Sequence, residues 1–407
     1  MCCLTKFISR VQSLRLTSFT ATSAIGTGLA ATLAALREQR SGIARKKWET
    51  LDFDACIGEV PGLDTLALRD DLAIFDCRNN RLAQLALEQD GFEQSVRDVI
   101  TRYGSKRVGV FLGTSTSGIL SSEIAYRHRD AASGKLPANH DYRHTHNSYS
   151  SADFVRRYFG LQGPAFVVST ACSSSAKVFG SAQRMLASGL LDAAIVGGVD
   201  SLCLTTLYGF NSLQLVSSNP CKPFDINRDG ISIGDGAAFL LVEKAENAVH
   251  DDILMSGIGE SSDAHHMSTP HPEGLGARLA MQAALKMSGL QPSDISYINL
   301  HGTSTHNNDD AEDKGVTAIF GTETPCSSTK GHLGHTLGAA GAIEAIICAL
   351  ALKNNFAPGG VGTETIDPQL HCNYLLSNLE QPMRHALSNS FGFGGSNCSL
   401  VFSKITA

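Results

Sequence analysis

Ala165-Phe166-Val167-Val168-Ser169-Thr170-Ala171-Cys172-Ser173-Ser174-Ser175 is the stretch that decides the fold. Four apolar residues in a row read as a buried strand, and the small polar residues after them read as a sharp turn. Ala176, Phe179, Ala182 and Leu186 then recur at helical spacing and stop at Ser188-Gly189, so a helix follows the turn. Cys172 stands where the strand gives way to the helix. A thiol there meets free backbone N–H groups and the positive end of the helix dipole, so its pKa is expected to fall and its thiolate to act as a nucleophile. Read alone, the same cysteine is as readily an inert core filler.

Strand-like and helix-like runs alternate on both sides of this stretch, which predicts parallel sheet covered by helices. Val108 to Leu112, Ala193 to Gly198 and Ala237 to Val242 read as buried strands. Polar residues from Glu246 to Asp252 form a seam, beyond which Ile253 to Ile258, Ile295 to Leu300 and Asn397 to Phe402 read as strands. Leu279 to Met287 and the strongly apolar Gly341 to Leu352 read as helices. The predicted organisation is an N-terminal extension over 1–14, one half over 15–250 and a second half of similar rhythm over 251–407, with no repeat at residue level. Tyr142 to Ser151 is polar and reads as a surface or interface loop.

At 43% hydrophobic and 18% charged, the chain can bury one large core or two fused ones. The formal charge of −6 argues against a general nucleic-acid binder. Eleven cysteines are an odd set, scattered apart from Cys2-Cys3 and without a CxxC pair, so they read as reduced thiols of a cytoplasmic protein. No apolar run approaches membrane-spanning length, and no membrane insertion is expected. From Met1 to Leu36 there is no acidic residue, while Lys6, Arg10 and Arg15 interrupt apolar and hydroxyl-bearing residues. That composition resembles a transit peptide. A short extension is preferred because Leu14 to Phe19 already reads as a strand.

Three further segments join the cysteine turn: His301-Gly302-Thr303-Ser304-Thr305, Lys330-Gly331-His332-Leu333-Gly334-His335-Thr336-Leu337-Gly338-Ala339-Ala340-Gly341, and Asn389-Ser390-Phe391-Gly392-Phe393-Gly394-Gly395-Ser396-Asn397. Each has an ordinary reading: a histidine satisfied in a glycine turn, a solvated lysine, phenylalanines that fill a core. Their occurrence together, in this order and spacing, resembles the elongating β-ketoacyl-acyl carrier protein synthases of fatty acid and polyketide synthesis. The resemblance runs from Ser18 to Phe402 and is densest from Gly163 onward. Synthases of aryl-polyene and polyketide pathways look at least as similar, because the first half departs most from the housekeeping pattern.

The resemblance implies a thiolase-type α/β fold, two similar halves in a five-layered α-β-α-β-α arrangement. It implies decarboxylative Claisen condensation of an acyl group on Cys172 with malonyl-acyl carrier protein. Thiolate chemistry needs a nucleophile, and Cys172 supplies it. The backbones of Cys172 and Phe393 match the oxyanion hole, and neutral His301 and His335 would stabilise the enolate formed as CO₂ leaves. Lys330 would add positive charge, with Glu312 paired to it. Thr303 and Thr305 match pantetheine-binding positions, and Phe391 and Phe393 match a gating loop made supple by its glycines. Asn299, Glu344, Ser388 and Asn389 match positions that hold a structural monovalent cation in relatives, but no metal is assigned to the chemistry. No cofactor is implied beyond the carrier's phosphopantetheine. The implied partners are acyl carrier protein and a second subunit, as a homodimer or as a heterodimer with a ketosynthase-like chain. Arg40, Arg45, Lys46 and Lys47 are a candidate landing patch for the acidic carrier.

Two alternatives are set aside on residues. A thiolase would pair its nucleophile with one histidine and a second cysteine, for which Cys398 is placed, but this chain has two histidines. A non-catalytic chain-length factor would lack the nucleophile. Departures from the family pattern are His306-Asn307-Asn308, where proline usually follows Thr305, and Ser173-Ser174-Ser175 after the nucleophile. His265, His266, His271, His306 and His332 are read as structural.

Overall fold

The computed structural model describes residues 13–406, so most of the N-terminal extension expected over 1–14 lies outside the described residues. Strand β1 (Leu14–Ser23) is followed by helices α1 (Arg78–Leu87) and α2 (Phe92–Tyr103), β2 (Val108–Gly113), α3 (Tyr149–Tyr158), β3 (Ala165–Val168), α4 (Ser174–Ala187), β4 (Ala193–Asp200) and β5 (Gly236–Lys244). The second half runs β6 (Ile253–Ser262), α5 (Leu275–Ser288), β7 (Tyr297–Asn299), α6 (His306–Phe320), β8 (Pro325–Ser327), α7 (Ala340–Asn354), β9 (Asn373–Tyr374), β10 (His385–Gly392) and β11 (Ser396–Lys404).

The strands lie in the order β9-β8-β7-β10-β11-β6-β1-β5-β4-β2-β3. β1 and β6 join the halves through only two register pairs, Leu14 with Met255 and Arg15 with Leu254. Within each half the first strand pairs with the last, then come the penultimate, the second and the third: β1-β5-β4-β2-β3 and β6-β11-β10-β7-β8. The duplication that left no residue-level repeat is therefore plain in the topology. Backbone pairing constrains strand order, whereas many apolar sequences satisfy the same layer.

Side-chain alternation sorts the layers. In β5, Ala238, Leu240 and Val242 face a central cluster with α4 and α7, while Ala237, Phe239 and Leu241 face an outer cluster with α1, α2 and α3. In the other half, Leu400 and Phe402 of β11 point to the central cluster, and Val401 points to an outer one with α5 and α6. The result is α-β-α-β-α. Helix α7 is apolar all round because a sheet covers it on either side. The stretch Leu337–Asn354 is in fact long and apolar enough for a membrane span, against the expectation of none, but it is 89% buried as the middle layer.

Two expectations change. The run Ala165–Val168 is expected to be buried, yet all four residues are half-exposed because, among the described residues, β3 is the edge strand, bonded to β2 on one side only. Tyr142 to Ser151 is not a loop throughout: after a single π-turn over Tyr142–His146, α3 begins and buries Ser150, Ser151 and Ala152. The serine hydroxyls meet backbone carbonyls, with Ser151 Oγ donating to Ser148 O at 3.1 Å, so polarity does not keep them at the surface.

Candidate active site

The strand-to-helix turn is made by backbone strain and hydroxyl caps. Ala171 has φ of 52°, a left-handed conformation that costs a non-glycine residue of order 1–3 kcal/mol unless its surroundings hold it. Here Ser173 Oγ donates to Thr170 O at 2.9 Å, Ser174 Oγ donates to Ala171 O, and Thr170 N–H donates to Ser174 Oγ at 2.9 Å. The serine run that departs from the family pattern thus clasps the turn. Cys172 is buried, and its Sγ is faced by the backbone N–H groups of Phe393 and of Cys172 itself. Gly392 makes that approach possible: a Cβ there would come within 2.7 Å of Thr170 O and 3.3 Å of Cys172 N.

His335 Nε2 lies 3.0 Å from Cys172 Sγ, and the His301 ring centroid lies 5.4 Å from that of His335. The Cys172 sulfur and one ring nitrogen each of His301 and His335 all fall within 4.8 Å of one another. The tautomers follow from the neighbours. Leu337 N–H donates to His335 Nδ1 at 3.3 Å, and the Lys330 ammonium, which can only donate, lies 3.4 Å from His301 Nδ1. Each Nδ1 is therefore an acceptor, and each Nε2 carries the ring proton. Burial drives both imidazoles well below their ordinary pKa, and for each the Lys330 charge adds to the effect. They are neutral donors.

Two expectations are corrected. The Cys172 thiol is not acidified overall: burial pushes it up to about 11, against the opposing pull of Lys330 and the two N–H groups. A helix terminus favours the thiolate only in part when the sulfur is cut off from water. Glu312 does not pair with Lys330. Its carboxylate accepts the N–H of His301 at 2.8 Å, the N–H of Gly302 at 2.7 Å and Asn389 Nδ2 at 3.1 Å, and burial raises its pKa to about 7. The partner of Lys330 is Glu344, also buried and raised to about 7 by burial despite the lysine. A lone carboxylate in the otherwise apolar α7 was the signal for that pairing, since a buried charge needs a counter-charge.

A cavity opens above Cys172, lined by His301, His335, Phe391 and Phe393 and, toward its mouth, by Thr303 and Thr305. The two threonine hydroxyls are 2.9 Å apart. Phe391 lies against His301, ring centroids 5.9 Å apart, and Phe393 lies against Phe210 at 5.5 Å, a contact no sequence signal announced. Asn307, Asn308 and Ser268 to Pro270 also line the mouth, so the departure after Thr305 does reach the site. The Phe393 loop is tied back by Gly394 N–H on Met267 O at 2.8 Å and Asp263 N–H on Gly395 O at 2.9 Å.

Other sequence candidates fall elsewhere. Cys398 is buried in the central core cluster and does not line the cavity, which removes the second cysteine a thiolase reading needs. Arg40, Arg45 and Lys46 are paired with Glu38, Asp54 and Glu59, so the expected basic patch is largely neutralised. Asn299 Oδ1, Glu344 Oε2 and Ser388 Oγ are buried without hydrogen-bond partners among the described residues. Orphaned oxygens of this kind, two neutral and one anionic, suit a hard monovalent cation.

Comparison with known proteins places these features in context. The family described as Beta-ketoacyl synthase, N-terminal domain, matches residues 15–248, and Beta-ketoacyl synthase, C-terminal domain, matches 254–364. A Staphylococcus aureus protein named 3-oxoacyl-[acyl-carrier-protein] synthase 2 is 32% identical over 349 residues, covering 81% of this chain and 83% of that one. The Arabidopsis thaliana 3-oxoacyl-[acyl-carrier-protein] synthase, mitochondrial, is 38% identical over 62% of this chain and 59% of its own length. A chain of the Xenorhabdus doucetiae complex of the ketosynthase ApeO with its chain length factor ApeC superposes with TM-score 0.89 at 37% identity, covering all of both chains. A chain of the ishigamide ketosynthase/chain length factor structure gives TM-score 0.86 at 26% identity over 98% of this chain and 100% of that one.

Proposed function

The chain belongs to the β-ketoacyl synthase family, and from that premise we propose the following course for its reaction. It is a condensing enzyme, a 3-oxoacyl-acyl carrier protein synthase of fatty acid or polyketide synthesis. In the first half-reaction Cys172 Sγ attacks the thioester of an acyl group borne on a carrier. The N–H groups of Cys172 and Phe393 hold the resulting oxyanion, and the Cys172 proton leaves with the carrier thiol. In the second, a malonyl thioester oxygen lies against the Nε2–H groups of His301 and His335. CO₂ departs, the enolate carbon attacks the acyl-Cys172 carbonyl, and the cysteine sulfur takes up a proton as the 3-oxoacyl thioester forms. The observation that carries this reading is the His335 Nε2–H set 3.0 Å from a buried sulfur, with the second neutral imidazole, His301, packed beside it.

Thr303 and Thr305 would bond the amides of the phosphopantetheine arm, and Phe391 and Phe393 would gate the passage between acyl and malonyl positions. Asn299, Glu344, Ser388 and Asn389 would hold a structural cation away from the reacting atoms. No redox or nucleotide cofactor enters the scheme. The partners would be an acyl carrier protein and a second ketosynthase-fold chain, seated on the open edge of β3, where four apolar residues stand half-exposed. The likeness to a chain from a ketosynthase/chain-length-factor complex supports a second chain of that kind and favours a polyketide or aryl-polyene pathway. All nine described cysteines are free and buried, which supports the cytoplasm as the compartment.

The test is intact-mass measurement after incubation with acyl-carrier protein. One acyl group should add to the wild-type chain and none to Cys172→Ala; an adduct that survives the substitution overturns the assignment.

A further inference from the structure

Asp200 closes β4 and is fully buried, and no Lys or Arg among the described residues pairs with it. Its Oδ1 accepts Thr114 Oγ1 at 2.6 Å, Thr116 Oγ1 at 2.9 Å, and the N–H groups of Ser115 at 2.8 Å and Thr116 at 2.9 Å. Its Oδ2 accepts Ser115 N–H at 2.9 Å and Gly338 N–H at 2.6 Å. A buried carboxylate can persist with this many donors in place of water, but so complete a cradle calls for a reason.

The reason lies in what the donors are attached to. Leu337, immediately before Gly338, has φ of 51°, and its N–H is the donor that holds the His335 tautomer. Two successive N–H groups of this left-handed turn thus point one at the catalytic imidazole and the next at Asp200. On the other side, Ser115 Oγ donates to the carbonyl of Ala171 at 3.5 Å, and Ala171 is the strained residue that aims Cys172. Strained backbone persists only where surrounding structure over-determines it. One carboxylate grips both strained turns. We propose that Asp200 is a positioning residue for the condensation, bolting the Leu337–Gly338 turn to the Thr114–Thr116 loop so that Cys172 and His335 stay in register and His335 keeps its proton on Nε2. The role rests on the condensing-enzyme reading of the Cys172–His335 pair.

Asp200→Asn keeps the shape and removes half of the accepting capacity. The oxygen with four donors retains the carbonyl, so the amide NH₂ is turned toward the N–H groups of Gly338 and Ser115, donor against donor. Thr114→Val is the comparison: it takes one hydroxyl donor from the opposite oxygen and the acceptor from Ser117 N–H, while the Gly338 contact stays intact. Gly338→Ala probes the same contact from the other end, because a Cβ there would lie 2.7 Å from Asp200 Oδ2. The rate of Cys172 acylation should fall about 10²-fold in Asp200→Asn, the size expected of a small misplacement, with KM for the acyl-carrier protein unchanged. Thr114→Val should lose less than Asp200→Asn, and the ¹⁵N resonance of His335 Nδ1 should move toward the protonated position in Asp200→Asn and not in Thr114→Val. Should Asp200→Asn not fold, Gly338→Ala must show the same kcat loss and the same ¹⁵N shift. An acylation rate near wild type in whichever variant folds, an equal loss in Thr114→Val, or an unmoved His335 resonance overturns the proposal. Failure of the condensing reading is separate, since the wild-type chain would then take up no acyl group.

Discussion

Replacing Lys330 by Met separates two roles that the structure assigns to one ammonium. Lys330 is buried, ion-paired with the equally buried Glu344, and in contact with His301 Nδ1 at 3.4 Å. Removing one partner of a buried pair strands the other charge and costs about 3–5 kcal/mol, a large part of the roughly 5–15 kcal/mol that holds a protein folded. The cost must depend on pH. Glu344 already has a folded-state pKa near 7, above the ordinary carboxylate value, so the stability it contributes is complete below the unfolded value and is lost as pH rises through about 7. Without the ammonium that pKa rises further, so urea unfolding should find Lys330→Met closest to wild type at pH 5 and furthest below it at pH 8. Adding Glu344→Leu removes the stranded carboxylate and should restore most of the stability, as apolar replacements of buried pairs do. Activity should not return with it. Both variants lose the donor that fixes His301, and CO₂ release from malonyl-carrier protein should stay about 10²–10³-fold down, the loss typical of one missing donor at a developing oxyanion. Decarboxylation within threefold of wild type in the double variant would refute the tautomer argument. A double variant no more stable than the single one would refute the pairing argument.

The remaining predictions test neighbouring links. Glu312, raised to about 7 by burial, stabilises the fold fully below the unfolded carboxylate value and loses that contribution as pH rises through 7; the wild-type advantage over Glu312→Gln in urea should shrink by about 3 kcal/mol between pH 4.5 and 8, and a constant difference would count against it. His301→Ala and His335→Ala should each lower malonyl decarboxylation about 10²–10³-fold while leaving the chain folded by circular dichroism; undiminished CO₂ release would exclude them as enolate donors. Val167→Pro, on the half-exposed edge strand, should lower the light-scattering mass toward that of one chain if the proposed partner sits there, because proline removes a backbone N–H from the open edge or its pairing with β2; an unchanged mass would count against that seat.

How much of this was legible beforehand depended on whether a residue's role is local. The turn at Cys172, the alternation of strands and helices and the identities of His301, His335 and Lys330 all follow from residues adjacent in sequence, and the motifs carried them. What failed was long-range. Glu312 does not meet Lys330; it accepts two backbone N–H groups, which have no sequence signature, and the side-chain amide of the distant Asn389. Asp200 is the last residue of an apolar strand and reads as a strand end until the loops that wrap it are placed. Ala165–Val168 has the composition of a core strand because composition reports that a surface is apolar, not which chain covers it. The thiol pKa went wrong for a related reason: the helix terminus is visible in sequence, whereas the depth of burial that outweighs it is not.

The protonation pattern bears on why the carbon nucleophile is made by losing CO₂ and not by losing a proton. A deprotonating condensation needs a base whose free lone pair faces the substrate and whose conjugate acid is tolerable in the site. Both imidazoles have that lone pair turned away, toward Leu337 N–H in one case and the Lys330 ammonium in the other. Their burial and the Lys330 charge also make an imidazolium costly. What they can offer at Nε2 is a proton held in place, which suits an oxygen that gains negative charge. Decarboxylation generates its carbanion without any base, and it converts a substrate that enters carrying a carboxylate into an enolate that those two N–H groups are placed to receive. In the proposed reaction, the orientation of two ring nitrogens, set by one backbone amide and one lysine, is what favours losing CO₂ over losing a proton.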